Sequence, residues 1–344
     1  YAVIVPLFRE ATVVPQLIEA LSGLDYPRCK LSVLLVLEQE DHKTLAALRR
    51  VALPPWIEVI VAPDGQPRTK PRALNAGLPF ATGNLLVVYD AEDAPESTQL
   101  KRAAAMFAHH DARMACLQGR LDFYNPRVNW FSRCFTIEYA AWFRLLLPGI
   151  ERLGLAVPLG GTTLFFRRAV LENLGRWDAH NVTEDADLGM RLARRGYRTE
   201  LLDTTTFEEA NCRPRSWVKQ RSRWIKGFMM TWLTHMRDPA LLWRELGPRK
   251  FLGFQLLLAG SVLHALLAPV LWSFWLLPLG FAHPVIDILP DGGSFLLMAS
   301  FLAVEASLIA FGIAGLALTV TAVATLAAGA DLGQAVKQAT NWTA

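Results

Sequence analysis

Cysteine is scarce in this 344-residue chain: Cys29, Cys116, Cys134 and Cys212 stand far apart and form no CxxC pair. That excludes a disulfide-framed secreted module and a paired-cysteine metal site, and reads as reduced, buried thiols. No GxGxxG follows the first apolar run, which weighs against a dinucleotide-binding dehydrogenase. There is no long Lys/Arg tract and no familiar nucleic-acid motif, so nucleic acid is not an expected partner. Internal repeats and low-complexity linkers are absent too.

Positive charge is all but missing from one end. Lys337 is the only Lys or Arg after Lys250, so 34 basic residues stand against 27 acidic ones in the first 250 positions, about +7. Such a charge favours anionic partners, either phosphates or the cytoplasmic lipid surface.

Long hydrophobic runs fill the other end. Residues 252–280 carry no charge and exceed the ~20 apolar residues that cross a bilayer. Residues 294–328 carry only Glu305; at ~1.5 Å per residue they exceed a ~30 Å hydrocarbon core, as one tilted helix or one broken near Gly312 and Gly315. Arg237, Arg244, Arg249 and Lys250 precede the first run, whereas the loop 281–293 holds Asp287 and Asp291 and no Lys or Arg. The positive-inside rule places residues 1–250 in the cytoplasm of a multi-pass inner (plasma) membrane protein. The expected division is 1–235 as a cytoplasmic domain with interfacial helices and 236–344 as the membrane region. The chain opens at Tyr1 inside an apolar run, and is expected to be part of a longer protein.

The first 90 residues alternate in type. Apolar runs at 2–7, 31–37, 57–62 and 84–89 predict strands, with helices at 13–24, 43–51 and 72–80. This βαβα order argues for an α/β fold with a mostly parallel sheet covered on both faces. Ligands of such sheets bind beyond the carboxyl ends of the strands, and there stand Glu38, Asp64 and Asp90. From Asn125 to Leu147 aromatics interleave with Arg, a pattern that suits a helix at a bilayer interface and equally a packed core helix.

Three constellations carry chemistry. Asp90-Ala91-Glu92-Asp93 places acids two positions apart at a strand exit, able to hold a divalent cation against a diphosphate; alone, such a turn is usually just solvated. Thr183-Glu184-Asp185 supplies a candidate general base, although a Thr N-cap with acids in the first helical turn explains it equally well. Gln220, Arg223 and Trp224 fall at i, i+3 and i+4 on one helix face. Arg grips phosphate with its forked donors and Trp offers a platform for a sugar ring, whereas on its own the segment reads as a membrane-surface helix.

In order and position these elements resemble the membrane-bound inverting family 2 glycosyltransferases, the group of cellulose, chitin and hyaluronan synthases, from Ala2 to about Trp232. The resemblance implies a GT-A catalytic domain followed by transmembrane helices, a UDP-sugar donor with UDP-glucose foremost, and Mg²⁺ or Mn²⁺. It makes Asp90 and Glu92 the metal and diphosphate residues, with Asp93 as a neighbour, and Asp185, beside Glu184, the base. Arg223 becomes the leaving-group stabiliser, with Gln220, Arg221 and Trp224 lining the pocket. Glu38 stands where the family has an aspartate on the nucleobase, Lys70 in Thr69–Asn75 resembles a donor-side segment, and Gly160-Gly161-Thr162 a small-residue stretch beside the acceptor. Glu38 for Asp, Phe8-Arg9-Glu10 for Tyr-Asn-Glu and the lack of an FxVT-type segment depart from the pattern, while Asp90-Ala91-Glu92-Asp93 and the Glu38 region look closer to bacterial exopolysaccharide or β-glucan synthases than to cellulose synthase itself. The implied activity is sugar transfer to a growing, exported polysaccharide at the lipid bilayer, with export or regulatory subunits as further partners. The rivals are transfer of a single sugar to a polyprenyl phosphate or other lipid, and a catalytically silent subunit.

Overall fold

The computed structural model of the chain describes residues 1–273. In chain order its elements are β1 (Ala2–Leu7), α1 (Val14–Ser22), β2 (Ser32–Glu38), α2 (His42–Arg49), β3 (Ile57–Ala62), α3 (Lys70–Gly77), β4 (Leu85–Val88), β5 (Ala94–Pro95), α4 (Gln99–His109) and β6 (Met114–Phe123). There follow α5 (Trp130–Ala141), α6 (Leu147–Arg152), β7 (Leu164–Arg167), α7 (Arg168–Asn173), α8 (Glu184–Arg194), β8 (Arg198–Glu208), α9 (Pro214–His235), α10 (Pro239–Phe254) and α11 (Gly260–Ser273).

The strands form one sheet in the order β3-β2-β1-β4-β7-β6-β8-β5. Pairings β2–β3, β1–β2, β1–β4 and β6–β8 are parallel; β4–β7, β6–β7 and β5–β8 are antiparallel. The sheet is therefore α/β and mostly parallel as expected, but mixed where β7 and β5 run back. Strand direction depends on where the connections cross, which a run of apolar residues does not encode.

Side-chain alternation explains why the first strands read as unbroken apolar runs. Val3, Val5, Leu7, Val33, Leu35 and Leu37 belong to the core on one face, and Ala2, Ile4, Leu34 and Val36 to the core on the other. A strand buried on both faces has no polar side to show. Local chemistry sets several helix starts: Asp41 caps the Thr44 N–H of α2, Asn129 and Ser132 form a reciprocal capping box on α5, and Asp238 caps Leu241 of α10.

The segment 125–147 packs partly into the core and leaves other apolar side chains exposed. Phe135 of α5 packs into a buried cluster with Phe123 and Ala210, while Trp130 is 70% exposed and Ile137, Leu145 and Leu146 also face outward. Residues Tyr1–Ala265 form one compact unit and the chain from Leu266 belongs to a second. Pro239–Leu267 is a helix long and apolar enough to cross a membrane, interrupted at Gly247 (φ 71°, ψ 169°) before Pro248. The expected span 252–280 is described as far as Ser273; the loop 281–293 and the expected span 294–328 lie outside the described residues.

Candidate active site

β4 is buried and runs through Tyr89 into the acidic turn. The turn closes on itself: the Asp90 N–H donates to Asp93 Oδ2 at 2.8 Å and the Asp93 N–H to Asp90 O at 3.3 Å. The Thr162 hydroxyl donates to the same Asp93 oxygen. Asp93, 3% exposed, is thus the internal brace of the turn, leaving Asp90 and Glu92 as its outward carboxylates.

Lys70, in the first turn of α3, ties that turn to the loop before β7. Its Nζ lies 2.5 Å from Asp90 Oδ1 and donates to Gly161 O at 2.7 Å. Burial works to lower the Lys70 ammonium, but the carboxylates of Asp90, Glu184 and Asp93 outweigh it and hold the pKa above the ordinary lysine value. The loop is pinned from the other side by Gln118, whose Oε1 accepts the Gly160 N–H at 2.7 Å and whose Nε2 donates to Thr162 O at 3.1 Å. Gly161 has φ +70°, and a Cβ there would come to 3.4 Å from Asp185 Oδ2. Glycine supplies the left-handed backbone and leaves the space beside the carboxylate open.

Asp185 stands in the first turn of α8, its Oδ1 accepting the Ala186 N–H at 2.8 Å. Burial pushes it up to about 6, restrained by that hydrogen bond and by Lys70; burial and then repulsion from Asp185 push Glu184 up to about 8. Both carboxyls are thus held above the ordinary carboxylate range, and they titrate as a pair, a perturbation suited to a candidate base. Thr183 occupies the N-cap position as expected, but its hydroxyl caps nothing and lies 3.4 Å from Asn181 Oδ1.

Other acids crowd the same place. Glu92 is pushed up to about 7 by partial burial, then by Asp90, Glu209 and Glu10. Glu208, at the end of β8, is raised well above its ordinary value by burial and then by Asp93, Asp90 and Glu92. Inspection of the sequence missed Glu208. The signal that could have found it is the acidic pair Glu208-Glu209 at the exit of a strand, the same signal that marks Asp90.

The remaining predicted residues separate. Glu38 ends β2 and is buried against Arg72, Nη1 to Oε2 at 2.6 Å. Gln220 and Arg223 line an open cleft of about 280 Å³ with Asn211, Ser216 and Lys219. Trp224, expected on their face, joins instead the aromatic cluster around Phe123 and Phe135. Arg221 lies over the rings of Trp224, Phe135 and Trp217 at 4.6, 5.2 and 5.4 Å and pairs with Glu138. Among the described residues no ion pair joins Arg223 to the carboxylate cluster.

The profile described as Glycosyltransferase like family 2 matches residues 1–227. The chain belongs to that family. Beta-monoglucosyldiacylglycerol synthase of Synechocystis sp. is 28% identical to this family 2 chain over 236 residues, covering 67% of it and 48% of the relative. Cellulose synthase catalytic subunit (UDP-forming) of Xanthomonas axonopodis pv. citri is 26% identical over 247 residues, covering 70% and 32%. The chain spans about half the length of the first curated relatives it matches. Among solved structures, the mannosyltransferase PcManGT from Pyrobaculum calidifontis, in complex with GDP-Man and Mn2+, superposes with a TM-score of 0.56 at 23% identity, covering 92% of this chain and 86% of that one. That likeness shows the GT-A-like fold.

A divalent cation fits the donor set of this family 2 site. Asp93 Oδ1 and Glu208 Oε1 are buried without a partner, and hard carboxylate oxygens in excess suit Mg²⁺ or Mn²⁺. Among the described residues no three His, Cys, Asp or Glu side chains form a ready cage.

Proposed function

We propose that this domain transfers a hexosyl group, with inversion, from a UDP-sugar, UDP-glucose foremost, to a growing polysaccharide at a multi-pass inner membrane protein whose catalytic domain faces the cytoplasm. The observation that carries the reading is Asp185, held beside the open backbone of Gly161 and across from the Lys70–Asp90 pair. Asp185 takes the proton of an acceptor hydroxyl; that oxygen forms the new bond to C1 as the bond from C1 to the diphosphate oxygen breaks, and the electron pair leaves with UDP. Lys70 and Arg223 meet the charge growing on the leaving group, a preorganised electrostatic contribution. Asp90 and Glu92 would hold a divalent cation, which when bound adds neutralising charge at the diphosphate. Glu38 and Arg72 form the floor on which the nucleobase rests, and Gln220 shapes the acceptor side, backed by Arg221 and Trp224 in the seam between α5 and α9.

A second reading, transfer of one sugar to a lipid, is favoured by one observation: the relative named for glucosyldiacylglycerol synthesis and the one named for cellulose are 28% and 26% identical to this chain. Cation-dependent UDP release in lipid nanodiscs, over a panel of UDP-sugars and with Asp185→Asn as control, tests the transferase; product size assigns the acceptor. A folded sample that releases nothing from any donor sinks both readings in favour of a silent subunit.

A further inference from the structure

The C-terminal half of α9 is fitted to the segment that carries the proposed base. A Cβ on Gly227 would come to 2.3 Å from Thr183 Cγ2, so the helix backbone rests on Thr183 itself. One turn on, Thr231 Oγ1, fully buried, accepts from Asn181 Nδ2 at 2.9 Å and lies 3.4 Å from Thr183 Oγ1. Asn181 in turn accepts the Thr183 N–H at 3.0 Å. One turn further, His235, 4% exposed, places Nε2 3.0 Å from Asp187 Oδ1 and Nδ1 3.0 Å from Arg194 Nη1. Arginine can only donate, so Nδ1 accepts and Nε2 carries the hydrogen given to Asp187. Arg191 holds the other Asp187 oxygen at 2.7 Å, and Arg194 reaches Glu245 of α10.

Residues 227, 231 and 235 thus bind one side of α9 to positions 181, 183 and 187, on both sides of Asp185. The same rigid helix, 22 residues long, carries Gln220 and Arg223 into the cleft at its other end. We infer that Thr231 and His235 are positioning residues, which set the Asp185 carboxylate and the Gln220–Arg223 end of α9 in one register for transfer. The inference rests on Asp185 being the base. Two buried side-chain bonds are a fitting device, because the donor and acceptor must find each other's geometry to satisfy burial, and small misplacements at a reacting centre are expensive in rate.

The test is steady-state UDP release by the full chain in nanodiscs for Thr231→Val against Thr231→Ser, and for His235→Phe against His235→Gln, with Asp185→Asn alongside. Thr231→Val keeps the shape and loses the acceptor oxygen; Thr231→Ser keeps the oxygen. The expected result is a kcat lowered about tenfold or more in Thr231→Val and His235→Phe, with donor KM unchanged and most activity retained in Thr231→Ser and His235→Gln. Equal losses within each pair, or a kcat loss that follows the folded fraction across temperature, would overturn the positioning role while Asp185→Asn remains dead. If one pair does not fold, the other gives the same comparison at an independent contact. UDP release that survives Asp185→Asn removes the base assignment, and this inference with it.

Discussion

The Lys70 ammonium lies 2.5 Å from Asp90 Oδ1 where α3, the acidic turn and the Gly161 loop meet. The same charge acts on Glu184, Asp93 and Asp185. Lys70→Met therefore removes the proposed donor to the leaving group and a restraint on the carboxylates together. We expect kcat to fall by about 10²-fold, the usual scale for a lost preorganised donor. The surviving activity should have its acidic limb moved to higher pH, since loss of a cation raises neighbouring carboxylates. A limb that stays in place would detach Lys70 from the base.

Asp185, raised to about 6, should set that limb in the native protein as the proposed base. A base must be ionised, so kcat should fall as pH drops through about 6, with unit slope. Asp185→Asn should lose about 10²–10⁴-fold at all pH values. A profile flat from pH 5 to 8, measured by UDP release, would contradict the assignment.

The carboxylate cluster also makes a prediction about stability. Glu92, Glu184, Asp185 and Glu208 all bind protons more tightly folded than unfolded. The folded state thus holds extra protons, and stability should fall as pH rises from the ordinary carboxylate range to about 8. Mg²⁺ or Mn²⁺, competing with those protons, should raise the melting temperature more at pH 8 than at pH 5. Thermal melts of the native chain and of an Asp90→Asn, Glu92→Gln variant, which should lose the cation response, check both signs.

Gly161→Ala tests the acceptor side. The residue has φ +70°, and the added methyl would stand 3.4 Å from Asp185 Oδ2. The left-handed backbone costs an L-residue about 1–2 kcal/mol, which denaturant melts will show. We expect the larger change in kcat and acceptor KM, with donor KM unmoved; a change confined to donor KM would place the acceptor elsewhere.

How much of this is visible in the sequence follows from how local each feature is. β1 and β3 end where their apolar runs end, and β2 and β4 lie within one residue of theirs; burial on both faces writes β1, β2 and β4 into short apolar stretches, whereas the edge strand β3 leaves Glu58 and Val61 exposed. The acidic turn, Asp185 and Lys70 share strand exits and helix starts, so their neighbourhood follows from the α/β order. Glu208 joins them only through a parallel pairing between β6 and β8, across most of the sheet from β1. Thr183 has an N-cap's position, yet its hydroxyl lies toward Asn181 and Thr231, a choice made by a helix 48 residues away. The i, i+3, i+4 spacing of Gln220, Arg223 and Trp224 gives one broad face; which part of it meets the cleft is decided by α5, whose docking the spacing does not contain.

That division within α9 gives the last prediction. Arg221 is stacked on Trp224, Phe135 and Trp217 and paired with Glu138, so it fastens α9 to α5. Arg223, two residues on, faces the cleft beside Gln220. Lysine keeps the charge but not the planar stacking surface, and a cation–π contact is worth about 0.5–1 kcal/mol at partly exposed sites. Arg221→Lys should therefore lower the melting temperature by a few degrees and leave kcat at the optimum temperature near native. Arg223→Lys should do the reverse, sparing stability and cutting kcat, because the lost feature is a forked grip on a diphosphate. Parallel melts and UDP-release assays separate the two, and an Arg221→Lys enzyme that is stable but inactive would move Arg221 from the helix seam into the reacting pocket.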